Sequence, residues 1–218
     1  MTIEYLGHAS FLLTTNAGTR IVTDPFDPAA YKDSLKYGAF RGPADIVTLS
    51  HGHGDHNAAH LITGNPVVIK GNGKFLAAEV EFVGVGTWHD NERGAKRGTN
   101  TVFVISADDL RIAHLGDLGH VLTGDQAAQI GNVDVALIPV GGFYTIDAAQ
   151  AWEVADQIDA QIVIPMHYRN EKCDFPIGGL DEFTAGKPRV VREGTSKIEV
   201  RRAHLPTERT IVVLEPSL

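Results

Sequence analysis

The 218-residue chain has one cysteine, Cys173, so no internal disulfide and no cysteine-based zinc finger can form, and Cys173 is expected to be a structural, largely buried thiol. It has no excess of basic charge: 19 Lys and Arg against 27 Asp and Glu give a net charge of -8, which argues against a surface built to hold a phosphate backbone. No basic region followed by an apolar stretch opens the chain, and no uninterrupted apolar run approaches membrane-spanning length. A soluble cytoplasmic protein with no membrane partner is expected. Also missing are a Gly-x-Ser-x-Gly elbow, a Cys-x-x-Cys pair and a Walker lysine motif, which removes several routes to nucleophilic or nucleotide chemistry.

What the chain does have is histidine, concentrated at His51-Gly52-His53-Gly54-Asp55-His56 after the apolar run Ile46-Val47-Thr48-Leu49. Four potential metal ligands in six residues at a strand end read as a ligand-bearing turn, with Gly52 and Gly54 expected to supply sharp or left-handed backbone. One such turn cannot easily wrap a single ion but can serve two, which predicts a binuclear site. The pattern of an apolar strand ending in a polar residue recurs. Val80 to Val85 leads to His89, Leu110 to Leu115 to Gly116-Asp117, and Gln161 to Met166 to His167. Strand ends along one edge of layered sheets converge. The simplest site therefore gives His51, His53 and His89 to a first ion and Asp55, His56 and His167 to a second, with Asp117 bridging. Donors of nitrogen and oxygen without thiolate suit zinc first, and also manganese or iron. Two divalent ions sharing a water would make a hydroxide nucleophile near neutral pH and polarise the bond under attack, with Asp55 as the catalytic group that orients that water.

The rest reads as one domain over 1–218. Strands are expected at Ile3 to Thr14 (interrupted at Gly7-His8), Thr19 to Thr23, Pro66 to Lys70, Thr101 to Ser106, Val133 to Val140, Lys197 to Arg202 and Thr210 to Leu214. Helices are expected at Asn57 to Ile62, Ala148 to Ile158 and Leu180 to Ala185, and an irregular loop or short helix over 27–43. Asp24 ends its strand before Pro25, where functional side chains often emerge. Arg93, Lys96 and Arg97 on a loop after His89 suit an anionic group of a small-molecule substrate.

With these motifs in place the chain resembles the metallo-β-lactamase superfamily, more narrowly its branch of UlaG-like lactonases, metal-dependent hydrolases and N-acylphosphatidylethanolamine phospholipase D. The resemblance runs from Leu6-Gly7-His8-Ala9 and Thr23-Asp24-Pro25 through the His-rich turn, Trp88-His89, Gly116-Asp117 and Pro139-Val140-Gly141-Gly142 to Pro165-Met166-His167-Tyr168. The Gly-His-Thr segment of glyoxalase II and the β-lactamases proper is absent around His89. The resemblance implies an α/β (α+β) fold, a four-layer αβ/βα sandwich of two mixed β-sheets flanked by helices with metals at one edge. It places His8 beside the metals as a supporting or substrate-contacting group. His120 is expected to line the pocket, Tyr144 and Tyr168 to touch substrate or to pack, and His60, His114 and His204 to be structural or surface residues. The expected activity is hydrolysis of an ester, lactone or phosphoester of a small substrate. An RNA or DNA phosphodiesterase and a catalytically silent metal-binding domain are the alternatives, and a homo-oligomer is left open. The loops 27–43, 91–100 and 168–180 are expected to set specificity.

Overall fold

The structure, a computed structural model, describes residues 1–31 and 34–218; Lys32 and Asp33, within the expected irregular stretch 27–43, lie outside the described residues. Strands β1 (Thr2–Gly7), β2 (Ser10–Thr14), β3 (Arg20–Thr23), β4 (Ile46–Leu49) and β5 (Val67–Lys70) open the chain, followed by β6 (Gly73–Ala77), β7 (Val80–Trp88), β8 (Thr99–Ala107) and β9 (Leu110–His114). Helix α1 (Gly124–Ile130), β10 (Val135–Pro139), α2 (Ala148–Gln157), β11 (Ile162–Met166) and α3 (Leu180–Thr184) come next, and β12 (Val190–Arg192), β13 (Lys197–Glu199) and β14 (Thr210–Val213) close it. They form a six-stranded sheet ordered β13-β1-β2-β3-β4-β5 and an eight-stranded sheet ordered β12-β14-β11-β10-β9-β8-β7-β6, each with parallel and antiparallel pairs.

The two sheets pack face to face because their strands are apolar on the shared side. In β8, Phe103 and Ile105 point into the space between the sheets with Ile3, Phe11, Leu13 and Ile21, while Val102 and Val104 point outward. This is period-2 alternation with both faces buried. Each such side chain taken from water contributes roughly 1.5–3 kcal/mol. The outer face of the eight-stranded sheet is covered by residues of α1, α2 and α3, among them Ile130, Val154 and Phe183. The outer face of the six-stranded sheet, carrying Leu12, Val22 and Val47, is covered by Ala44, Ile62, Phe40 and Leu218, so its helical layer is reduced to loops and the 3-10 turn Ala59–Leu61. Among the described residues no helix is long and apolar enough to cross a membrane.

Topology explains why the polar strand ends meet. Strand β7 is antiparallel to β8, which is antiparallel to β9, so β7 and β9 run the same way, and β10 and β11 continue parallel to β9. In the other sheet β1 and β3 share a direction through antiparallel β2, and β4 is parallel to β3. The C-terminal ends of β1, β3 and β4, and of β7, β9 and β11, therefore lie along common edges. These are the ends that carry His8, Asp24, the turn 51–56, His89, Asp117 and His167.

Candidate metal centre

Each polar strand end turns sharply. Asp24, His8 and His167 all adopt left-handed backbone, with φ of 40°, 54° and 52°, and Gly116 does so at 54°. For residues other than glycine this strain costs on the order of 1–3 kcal/mol and persists only where surrounding contacts enforce it. Here the His167 N–H donates to the His8 carbonyl at 2.8 Å and locks two of these turns together. Gly116 has a second constraint: a Cβ there would lie 2.5 Å from the Ser50 Cβ and 2.4 Å from Asn100 Oδ1. Of the two alternatives expected for Gly52 and Gly54, sharp or left-handed backbone, the left-handed one is corrected: they lie in a bend and a turn, neither has positive φ, and a Cβ at Gly52 would meet nothing within 4 Å. The His-rich turn is closed instead by the His56 N–H donating to the His53 carbonyl at 3.0 Å.

Besides the set Asp24, His51 and His56, two donor groups result. Ligand-type atoms of His51, His53 and His89 lie within 4.8 Å of one another, as do those of His8, Asp55, His56 and His167. Asp117 stands between them. Its Oδ2 is 3.1 Å from His89 Nε2 and 3.8 Å from His51 Nε2, and its Oδ1 is 3.2 Å from His56 Nε2 and 3.5 Å from His167 Nε2. Asn100 holds this carboxylate in place by accepting the Asp117 N–H at 3.0 Å and donating to the Leu115 carbonyl at 3.0 Å.

Hydrogen bonds on the far ring nitrogens set which nitrogen faces the centre. His89 Nδ1–H donates to the Tyr144 carbonyl at 3.1 Å, and His56 Nδ1–H donates to Asp24 Oδ2 at 2.9 Å. The Ser50 hydroxyl donates to Asp24 and so accepts from His51 Nδ1–H at 2.9 Å. All three rings then present Nε2 to the shared space, the arrangement by which carboxylates and carbonyls orient metal-binding histidines. Asp24 is fully buried, and its oxygens are committed to Ser50 and His56, so it orients rather than meets substrate.

Electrostatics mark the same space. Burial pushes Asp117 up, but His167 and His56 outweigh it and hold the carboxyl well below its ordinary range. Burial raises Asp55 too, and is outweighed by His56 and His8. Burial and His56 push His51 down to about 3, and burial pushes His167 down to about 4. His56 moves the other way, because Asp117 and Asp55 override burial. The buried atoms His56 Nε2 and Asp117 Oδ1 make no hydrogen bond among the described residues. Buried polar atoms are rarely left so, and a cation between them would satisfy both. The residues present fit divalent ions.

A cavity of about 260 Å³ opens onto the centre, lined by Tyr31, His53, Asp55, His89, Arg97, Asp117, Tyr144, His167 and Phe175. Tyr31, Arg97 and Phe175 come one from each of the loops 27–43, 91–100 and 168–180. Tyr31 and Phe175 were not legible in the sequence, where an aromatic in an irregular loop carries no periodic signal. Two expectations are corrected. Arg93 is exposed and outside the lining, and Arg97 is the loop's basic residue at the cavity. His120 is also outside it, because its Nε2 accepts the Trp88 N–H at 3.2 Å and its Nδ1–H donates to the Val121 carbonyl at 2.7 Å. Tyr144 reaches the cavity, whereas Tyr168 packs in the core. His8 sits at the second group, its Nε2 3.2 Å from Asp55 Oδ2, and His114 Nε2–H donates to the Ala9 carbonyl at 2.7 Å.

Asp90 shapes the loop after His89. Its Oδ1 accepts the N–H groups of Glu92 and Gly94 at 2.8 and 2.9 Å, and its Oδ2 those of Lys96 and Arg97 at 2.9 and 2.7 Å. Burial works against its charge, but these four donors outweigh it and hold the carboxyl at about 2. Asp90→Ala is expected to raise hydrogen exchange at these four amides to open-loop rates while β7 and β8 keep their protection. Unchanged exchange would contradict this role.

Residues 2–167 match the family model of the β-lactamase superfamily domain. A UPF0173 metal-dependent hydrolase of Methanospirillum hungatei is 31% identical over 77% of this chain and 83% of its own length, and one of Pelotomaculum thermopropionicum is 32% identical over 77% and 84%. A crystal structure from Thermotoga maritima, described as a candidate Zn-dependent hydrolase of the metallo-β-lactamase superfamily, superposes with a TM-score of 0.82 at 41% identity over 98% of both chains.

Proposed function

Because the chain belongs to the metallo-β-lactamase superfamily, we propose that it is a metal-dependent hydrolase whose centre takes two divalent ions, zinc first, and cleaves an ester, lactone or phosphoester of a small substrate. The observation that carries this reading is the Asp117 carboxylate, with one oxygen turned to each histidine group. On this reading His51, His53 and His89 would hold one ion, Asp55, His56 and His167 would hold the other, and Asp117 would serve both, with His8 supporting Asp55. Ions so held supply a water-derived nucleophile at neutral pH and polarise the bond under attack.

The chain's own residues do the rest. Asp55 lines the cavity with His8 Nε2 3.2 Å from its Oδ2, a contact that fixes the carboxylate so that, besides reaching the second ion, it can take a hydrogen bond from an incoming water and orient it. The aromatic side chains Tyr31, Tyr144 and Phe175 narrow the opening and exclude bulk water around that contact. A volume of about 260 Å³ is below the usual range for drug-sized ligands, which favours a small substrate over a polymer.

Two experiments bear on this. Zinc- and manganese-loaded protein is expected to hydrolyse at least one of para-nitrophenyl acetate, a γ-lactone and bis(para-nitrophenyl) phosphate, with activity lost on chelation and restored by the ion. Chelator-independent turnover would sink the reading. Asp24→Asn is expected to weaken metal binding ~10–100-fold in chelator competition, because it removes the carboxylate that orients His56. Affinity within about 2-fold of wild type would contradict that role.

A further inference from the structure

We propose that Arg97 is the specificity residue of this centre and selects substrates that carry a carboxylate or phosphate group apart from the bond that is cleaved. This rests on the hydrolase reading above and adds the substrate's charge. Among the described residues that line the cavity, Arg97 is the one lysine or arginine. Its guanidinium carbon lies 5.4 Å from the centroid of the Tyr144 ring and 5.8 Å from that of Phe143. Among the described residues the guanidinium makes no hydrogen bond or ion pair. Its backbone is fixed, with its N–H held by Asp90 at 2.7 Å and the next residue, Gly98, accepting the His89 N–H at 3.0 Å.

Phe143 makes the arrangement pointed. It is 65% exposed and has left-handed backbone, φ 58°, a combination that costs free energy twice and that core packing does not require. Its ring packs edge to face on Tyr144, with centroids 4.7 Å apart. Both rings therefore brace Arg97 at the cavity. A guanidinium held against aromatic rings keeps its planar donor fork free, and that fork matches a carboxylate or phosphate. The apolar walls, Tyr144 and Phe175 at 5.8 Å and Tyr31 and Phe175 at 5.8 Å between centroids, suit the body of the substrate between its anionic end and the scissile group.

The test compares esters that share a leaving group and differ in charge, para-nitrophenyl succinate (anionic) and para-nitrophenyl acetate (neutral). In zinc-loaded protein Arg97→Gln is expected to raise KM for the succinate ester ~10-fold or more with kcat nearly unchanged, and to leave the acetate ester within about 2-fold. Arg97→Lys should restore part of the loss, since it returns the charge without the fork. Binding of the corresponding amides, N-(para-nitrophenyl)succinamate and para-nitroacetanilide, to metal-free protein by calorimetry supplies a readout without turnover. Wild type should prefer the anionic amide and Arg97→Gln should bind the two alike. An equal loss for both esters in Arg97→Gln, or no charge preference in wild-type binding, overturns the proposal. If neither ester, nor the γ-lactone or bis(para-nitrophenyl) phosphate, is cleaved but the binding preference follows Arg97, the charge selection stands and the hydrolase reading falls; cleavage with no charge discrimination gives the reverse.

Discussion

Asp117→Asn is expected to remove metal from both halves of the centre and to lower hydrolysis on the order of 10³-fold, more than the ~10–100-fold typical of a group that only orients a ligand. The substitution keeps the shape of the side chain and removes its charge. In the wild type one carboxylate oxygen is 3.1 Å from His89 Nε2 and the other 3.2 Å from His56 Nε2, so the loss falls on both sides at once. Breaking a buried ion pair by removing one partner typically costs ~3–5 kcal/mol, and some loss of thermal stability is part of the expectation. Elemental mass spectrometry on the folded, monodisperse variant should find fewer than about one ion per chain where the wild type holds about two. A variant that keeps two ions would remove Asp117 from its bridging role.

Metal removal from the wild type is the second large effect. An ion present at about a thousand times its dissociation constant stabilises the folded state by roughly 4 kcal/mol. For a chain of this size each kcal/mol moves the melting temperature by about 2–4 °C, so chelation at pH 7.5, which removes both ions, should lower it by about 16–32 °C. The pH dependence has a defined sign. His51 and His167 have folded values of about 3 and about 4, below the ordinary histidine value of about 6.5. Between those limits the unfolded chain binds protons that the folded chain does not. The contribution of these two residues is present above about pH 6.5 and is lost as pH falls through that window. His56, raised in the folded state, works the other way: its contribution is present below about pH 6.5 and lost as pH rises through its folded value. Below about pH 6.5 His56 is protonated in both states and adds no slope, whereas His51 and His167, with His53, His114 and His120 lowered in the same direction, give a metal-free protein that weakens on acidification. Protons also compete with the ions for the same nitrogens, so the gap between loaded and stripped protein should narrow from pH 7.5 to 5.5. A melting temperature indifferent to chelator would contradict the account.

The polar strand ends were legible because they interrupt strong apolar runs. Ile46 to Leu49 before His51, and Ile162 to Met166 before His167, are buried at every position, and such runs have one plausible end. Helix α2 begins at a similar pattern change, where the Asp147 side chain accepts the Gln150 N–H. Three elements were missed. β6 has mostly exposed or half-exposed side chains, and β12 is three residues long, so neither shows a clear period. The helix α1 carried a readable signal, the Thr123 and Gln126 capping box, but its short apolar face obscured it. Several expected elements were shortened, Val133 to Val140 to the strand Val135–Pro139 among them. The segment from Lys197 is a strand only to Glu199, and the stretch after the His-rich turn is a single 3-10 turn, Ala59–Leu61.

Within the site, residue types were more legible than their neighbours. Histidine and aspartate at strand ends announce themselves, whereas the partners that aim them depend on contacts distant in sequence. Ser50 relays between His51 and Asp24, and Asn100 holds the Asp117 turn. The choice of Arg97 over Arg93 turns on a local detail, the four backbone N–H groups gathered by Asp90, which coil the loop so that Arg97 faces the cavity and Arg93 faces solvent.

The central claim is a two-ion centre divided by the Asp117 carboxylate. Its most direct test is anomalous diffraction at the zinc edge from crystals grown with zinc, compared with data below the edge. Two peaks per chain are expected, one among His51, His53 and His89 and the other among Asp55, His56 and His167, with Asp117 between them. A single peak, or peaks away from these side chains, would contradict it.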